Sequence, residues 1–282
     1  MRYLSTFTLA LFVCSPAASA VEPIELSVMT FNLRYASDTP PNDWAVRRPV
    51  VAELLRQFAP DVLGTQEGLY RQLTDLSDDL PEYDWIGLGR VGGSRGEFMA
   101  VYYLRERLEP LEYDHFWLSD TPEVIGSASW GNNVRRMVTW VRFRERATGG
   151  EFYFVNTHFD HQSQPSRERS AELVARRIEA WQTDLPVLLV GDFNAIAGDN
   201  PVYDRLVSKA GFTDTWTAAA ERGPQVATFH NYVGPIADGP RIDWILARGR
   251  VESLSSEIVT YARDGQYPSD HFPVAARLRL GE

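Results

Sequence analysis

Apolar and polar positions alternate at strand period through much of this chain, with a few stretches that switch to helical period. Ile24 to Phe31 is apolar at nearly every other position and reads as a first strand. Val51, Leu54, Leu55 and Phe58 recur at helical spacing and predict a helix from about Trp44 to Phe58, stopped by Pro60. Asp61 to Glu67 follows as a strand, and a second helix is expected near Tyr70 to Leu80. Further strands are predicted over Glu97 to Tyr103, Arg136 to Phe143 and Phe152 to His158, the last two joined by the turn Thr148-Gly149-Gly150. Leu108 to Leu118 reads as strand and turn, and Thr121 to Asn133 as a long loop carrying Trp130. Ala171, Val174, Ile178 and Trp181 share one face of a helix from Ser166 to Trp181. Val187 to Val190 is apolar throughout, the mark of a strand buried on both faces. Asn200-Pro201 caps a short helix with Gly211 past its end. Arg241 to Leu246 and Val274 to Leu280 complete the strands. Hairpins alternate with helices and no linker divides the chain after residue 21, so the pattern predicts one α/β domain of two packed sheets flanked by helices.

The strands end alike. Asn32, Glu67 and His158 close their strands, and Asp192 and Asn194 follow the Val187 to Val190 run. Asp243 lies in the Arg241 strand, and Asp270-His271 precedes the terminal one. Residues two apart on an extended chain point the same way, so Asp192 and Asn194 share a face. A carboxylate there can bind a metal or take a proton from water, and a carboxamide can hold an oxygen without adding charge. Each residue alone has a bland reading: a turn-closing Asx, a helix cap or a loop histidine. The recurrence of strand, polar group and loop with only Asn, Glu, Asp or His in the polar place is harder to explain that way. Oxygen-rich sets of this kind select a hard cation such as Mg²⁺. The Gly-rich stretch Gly87 to Gly96 lacks the spacing of a phosphate loop and reads as a hairpin or lip.

Hydrophobic residues make up 44% of the 282, enough for a sizeable core. The formal net charge of −10 and a pI near 5.1 argue against a broad basic face for duplex nucleic acid. Residues 1 to 20 carry Arg2, an apolar Leu4 to Val13 and the small-residue site Ala18-Ser19-Ala20, the plan of a secretory signal peptide. Cleavage after Ala20 removes the only cysteine, Cys14, and leaves 27 basic against 38 acidic side chains, a charge of −11. Secreted or periplasmic localisation without disulfides is the expectation, with residues 21–282 as the catalytic domain.

Thr30-Phe31-Asn32, Gln66-Glu67, Asn156-Thr157-His158, Gly191-Asp192-Phe193-Asn194, Arg241-Ile242-Asp243 and Ser269-Asp270-His271 together resemble the endonuclease/exonuclease/phosphatase superfamily, the deoxyribonuclease I-like fold. They occur in that family's order and cover about Ile24 to Leu280. The resemblance implies a four-layer α/β sandwich and divalent-metal-dependent cleavage of a P–O bond, with Mg²⁺ or Mn²⁺ as cofactor. It makes Glu67 the principal metal ligand, with Asn32 and Asp270 in or beside that shell. By the same resemblance Asp192 would position or deprotonate the attacking water, and Asn194 would hold that water or a phosphate oxygen. His271 resembles the imidazole at the scissile phosphate, oriented by Asp243. His158 resembles the second imidazole, and Glu97 the acid that pairs with it. Arg136 resembles the family's phosphate-contacting arginine, and His161 and Arg169 are candidate substrate contacts. Phe116-Trp117-Leu118-Ser119-Asp120-Thr121-Pro122 and His158-Phe159-Asp160-His161 are similar to a bacterial secreted group near the deadenylase/nocturnin-like branch.

Three functions follow from these expectations. The first is a secreted phosphodiesterase acting by direct attack of water on a nucleotide or a short or single-stranded nucleic acid. The second is a phosphatase or phosphodiesterase for sugar, inositol or lipid head-group phosphates. The third is a binding protein on an inactive catalytic fold. A monomer without membrane anchor or protein partner is expected. Trp130, Phe229 and Tyr232 are candidates for stacking a base.

Overall fold

The computed structural model describes residues 22–281. The signal-peptide expectation lies outside the described residues, and no helix within them is long and apolar enough to cross a membrane.

The chain opens with β1 (Ile24–Asn32), α1 (Trp44–Phe58), β2 (Val62–Gln66) and α2 (Tyr70–Asp79). The Asp43 side chain accepts from Val46 N and starts α1, while Ala59 in the left-handed region ends it ahead of Pro60. β3 (Tyr83–Ile86), β4 (Val101–Leu104), β5 (Leu108–Trp117), β6 (Met137–Glu145) and β7 (Glu151–His158) follow. α3 (Gln164–Glu179) leads to β8 (Val187–Asp192), and β9 (Asp243–Arg248), β10 (Val251–Ile258) and β11 (Val274–Leu280) finish the fold.

These strands form two large, mostly antiparallel sheets. One runs β10-β11-β1-β2-β4-β3 and gains a short edge piece at Glu221–Arg222; the other runs β9-β8-β7-β6-β5 with an edge piece at Thr213–Asp214. The inner faces meet in a core that includes Val28, Val62, Phe154, Leu188, Val190, Ile245 and Leu278. On the outside, α1 and α2 cover the first sheet with Met29, Leu54, Leu55, Leu73 and Tyr102 in the seam. α3 covers the second, where Ala171, Val174 and Ile178 meet Val155, Leu189 and Trp244. Helix, sheet, sheet, helix is the four-layer sandwich the sequence predicted.

Four elements differ from expectation, the first being β3, a strand at Tyr83–Ile86 that the sequence pattern did not predict. The strand expected over Glu97 to Tyr103 is broken: Glu97–Phe98 pairs with Gly68–Leu69 in a separate ribbon, and β4 joins β2 only from Val101. Residues 251–258 were not predicted as a strand because their inward positions include Ser253 and Ser256, which disguise the apolar pattern. Ser253 Oγ donates to Thr215 O and Ser256 Oγ to Ala275 O, so both hydroxyls are satisfied while buried. α3 begins at Gln164, since Ser163 accepts from Ser166 N and Pro165 suits the first turn. Gly87 to Gly96 closes as a tight turn, with Gly89 N donating to Gly93 O and Arg90 N to Glu97 O.

Two glycines allow the sheets and strands to come close. A Cβ on Gly64 would stand 2.5 Å from Val190 and 2.9 Å from Asn156 on the facing sheet. Gly191 has φ 152°, and a Cβ there would stand 2.1 Å from the Thr157 carbonyl oxygen.

Candidate functional site

Strand register assembles the site. Within the second sheet His158 pairs with Asp192, and Asp192 with Asp243, so three polar residues stand in one row at one sheet end. In the first sheet Asn32 pairs with Gln66, which puts Glu67 just beyond the same end. Behind this row Asn156 ties the sheets together. Its amide donates to Thr65 O (2.8 Å) and Ala100 O (2.9 Å), and its Oδ1 accepts from Gln66 Nε2 (2.7 Å). Gln66 also donates to Thr30 Oγ1. Arg34, Glu67 and Asn194 leave their strands with φ of 53°, 62° and 48°. Such left-handed turns at non-glycine residues are uncommon and turn the chain sharply at the mouth of the site.

Asn32 is fully buried and bridges two carboxylates, donating to Glu67 Oε1 (3.2 Å) and Asp192 Oδ2 (3.0 Å). Glu67 Oε2 accepts from Tyr35 N at 3.1 Å. Burial opposes ionisation of Glu67, yet charged His271, the Tyr35 N–H, the Asn32 amide and Arg34 hold its carboxyl below the usual range. Burial pushes the Asp270 carboxyl up, with His271 and Arg34 opposing and Glu67 adding to the rise. Ser269 Oγ donates to Asn32 O at 2.7 Å and fixes the Asp270 loop against the end of β1.

His271 Nδ1 lies 2.9 Å from Asp243 Oδ2, and its Nε2 lies 3.8 Å from Asp192 Oδ2. Burial disfavours the imidazolium, but the charge and hydrogen bond of Asp243, with Asp192 and Asp270, raise it to about 10. Burial and the Asp243 charge push Asp192 up to about 7, against His271 and the donors Asn194 N and Asn32. Asp192 Oδ1 accepts from Asn194 N at 2.9 Å.

His158 differs. Its Nε2 accepts from Asn194 Nδ2 at 3.0 Å and lies 3.4 Å from Asp192, while its buried Nδ1 has no hydrogen-bond partner. Burial, then the charges of Arg136, Arg90, His271 and His161, hold it well below the usual histidine value, so it is neutral.

Glu97 does not pair with His158. It forms a two-pronged contact with Arg90 at 2.6 and 2.7 Å across the Gly-rich turn. A guanidinium offers a carboxylate two charge-assisted bonds, and a neutral imidazole offers one weaker bond. Burial pushes Glu97 up and Arg90 down, a cost that the paired geometry offsets. Arg136 is buried and lies 3.0 Å from His161 Nδ1, with Asp160 Oδ2 at 3.8 Å from Nε. Its Nε and Nη1 have no hydrogen-bond partner. Arg169 stands exposed on α3, outside the cavity, where its charge acts on Asp120. Trp130 donates to Asp120 and packs on its own side of the fold. The Tyr232 hydroxyl is buried, whereas Phe229 is 45% exposed with its ring 5.0 Å from that of His271.

These groups surround one cavity of about 400 Å³, lined among others by Glu67, Glu97, His158, Asp192, Asn194, Asp270 and His271. Arg34, Arg90, Arg136 and His161 line it as well. Sequence reasoning missed Arg34 and Arg90. Arg90 had a signal in hindsight, an opposite charge facing Glu97 across a glycine turn; Arg34 had none.

The buried cluster Asp192, Asp243 and His271 has ligand atoms within 4.8 Å of one another and could hold a cation. There the Asp243–His271 hydrogen bond already occupies two of the candidate atoms. Glu67 and Asp270 open to the cavity, carry mutually repelling charge and offer only oxygen donors, so they fit a hard divalent ion better.

Carboxylates, amides and a charged imidazole thus meet at one end of a four-layer sandwich. The chain belongs to the Endonuclease/Exonuclease/phosphatase family, whose model matches residues 29–271. A family protein of Bacteroides thetaiotaomicron is similar over 93% of this chain and 99% of its own, with 33% identity and a TM-score of 0.86. A mannosyl-6-phosphatase of the same species shares 33% identity over 90% of this chain and 99% of its own, with a TM-score of 0.85. The human Nocturnin catalytic domain, 16% identical, shares the fold, with a TM-score of 0.71 over 92% of this chain and 94% of its own. The chain spans 63% and 51% of the length of the curated relatives it matches.

Proposed function

We propose that this chain is a secreted, divalent-metal-dependent hydrolase of small phosphate esters that works by direct attack of water. Arg136 carries the reading. A buried guanidinium with two nitrogens unpartnered, on the wall of a cavity beside His158 and Asn194, calls for an anion. Arg90 and Arg34 add positive charge to the same wall, as a terminal phosphate requires. The likeness to a mannosyl-6-phosphatase supports a sugar phosphate over a polymer, as does the chain's acidity.

Glu67 and Asp270, with Asn32 beside them, would hold Mg²⁺ or Mn²⁺. The ion supplies neutralisation of phosphoryl oxygens. Asp192, poised near neutrality, orients the water and takes its proton. His271, kept charged by Asp243, stabilises the oxygen that gains charge as the P–O bond breaks. Neutral His158 and the Phe159 carbonyl take the two protons of the Asn194 amide, at 3.0 and 3.1 Å, which leaves Asn194 Oδ1 to accept from the water and not to hold a phosphate oxygen. Glu97 acts through Arg90, holding the guanidinium at the wall.

A second reading, a nucleotide or short nucleic-acid phosphodiesterase, has one observation in its favour: exposed Phe229 beside His271 offers a stacking face for a base. Turnover of hexose 6-phosphates, nucleoside monophosphates, bis-p-nitrophenyl phosphate and short oligonucleotides should be compared with Mg²⁺ or Mn²⁺ present. The proposal expects a hexose phosphate to lead the diesters in kcat/KM by on the order of 10-fold or more. A diester in first place would select the second reading, and no hydrolysis of any ester would leave the inactive binding fold.

A further inference from the structure

Arg34 is the one arginine of the cavity wall whose backbone is pinned and whose side chain is loose. Its N–H donates to Asn32 Oδ1 at 2.9 Å. Its carbonyl accepts from Arg47 Nη2 at 3.1 Å and Gln72 Nε2 at 3.0 Å. Arg47 is itself fully buried and also grips the carbonyls of Asn42, Leu33, Tyr35 and Pro268, so the left-handed turn at Arg34 is held from several sides. The side chain is 39% exposed and lies over the Tyr35 ring at 4.5 Å. Its Nε is 3.5 Å from Asp270 Oδ2 and its Nη1 is 4.0 Å from Glu67 Oε2, with no hydrogen bond to either. In the same cavity Arg90 and Glu97 meet at 2.6 and 2.7 Å. An arginine that stands between two carboxylates without closing on them neutralises them by charge alone.

We propose that Arg34 is an exchangeable counter-ion. It neutralises Glu67 and Asp270 until a divalent cation takes over that task, and then turns, on its fixed backbone, to the phosphate in the cavity. This rests on the reading of Glu67 and Asp270 as cation ligands. A guanidinium cannot shed its proton, so its charge must either oppose an entering cation or move away from it. The exposed stem and the Tyr35 face allow the movement, since an aromatic ring holds a guanidinium without fixing its reach. The arrangement links two events: the anion-binding arm is released when the cation that neutralises the substrate has arrived.

Isothermal titration of chelator-stripped protein with Mg²⁺ and Mn²⁺ tests this on wild type, Arg34→Met and Arg34→Lys. Removing the competing charge should tighten cation binding in Arg34→Met by about 10-fold, a modest figure because the group is partly exposed. Arg34→Lys keeps the charge and should bind the cation as wild type does. With the cation saturating, inorganic phosphate should bind Arg34→Met about 10-fold more weakly than wild type. Equal or weaker cation binding by Arg34→Met, or unchanged phosphate binding, overturns the proposal. If wild type and Arg34→Met both fail to bind a cation, the ligand reading of Glu67 and Asp270 falls with it. If wild type binds and Arg34→Met matches it, only the role of Arg34 falls.

Discussion

Glu67 and Asp192 are both carboxylates at strand ends, and their surroundings separate them. Glu67 is held ionised by four neighbours and faces Asp270, so it suits a cation. Asp192 sits deeper, between Asn32, Asn194 and the two imidazoles, and burial with Asp243 brings its carboxyl near neutrality, which suits proton transfer from water. Glu67→Gln should weaken Mg²⁺ binding so that excess metal partly restores the rate. Asp192→Asn should leave metal affinity nearly intact and lower kcat on the order of 10²–10⁴-fold. Measuring kcat against Mg²⁺ concentration for both variants checks this; rescue of Asp192→Asn but not Glu67→Gln would reverse the roles. Arg136→Ala should raise KM for a phosphate ester by on the order of 10-fold or more, because it removes the wall's buried anion partner. An unchanged KM would mean that the guanidinium serves only His161 and Asp160.

Strand register decides which residues meet. Gly191 lets the backbone of β8 approach Thr157 as no other residue would, and the pairs His158–Asp192 and Asp192–Asp243 follow from that alignment. Asn156 performs the corresponding task between sheets. Its sequence neighbours marked it as part of a motif, but nothing in the pattern showed that its side chain reaches the other sheet. Asn156→Ala should cost about 2–4 kcal/mol, because it removes three buried hydrogen bonds, to Thr65 O, to Ala100 O and from Gln66, from the seam between the sheets. Chemical denaturation measures it, and a loss below about 0.5 kcal/mol would show that water satisfies those groups. Helices and apolar strands were legible from periodicity. β10 was not, since a buried serine that bonds to a backbone carbonyl looks polar in the sequence and behaves as core in the fold. The break after Phe98 was equally hidden: Met99 and Ala100 are apolar and fully buried, and only the partner strands show that the chain changes sheets there.

For the whole molecule, a chelator should abolish hydrolysis and Mg²⁺ or Mn²⁺ should restore it. Magnesium at about 100 times its Kd should stabilise the fold by about 2.7 kcal/mol, read as a rise in Tm. No change in Tm under saturating metal would exclude a resident ion at Glu67 and Asp270. Exported protein should begin at Val21; an intact Met1 terminus on protein recovered from the cytoplasm would refute cleavage. The sequence by itself determined the sandwich and the set of polar residues at strand ends, because burial imposes periodicity and strand ends are where polar groups can leave a core. It also carried the Asp243–His271 pair, through motifs that the family orders along the chain. Only the tertiary structure decided that Glu97 belongs to Arg90 and not to His158, that Arg169 faces away, and that Arg34 stands loose between Glu67 and Asp270. Those outcomes depend on angstrom-scale competition among charged side chains from distant segments, and no periodicity along the chain records which of them come within reach.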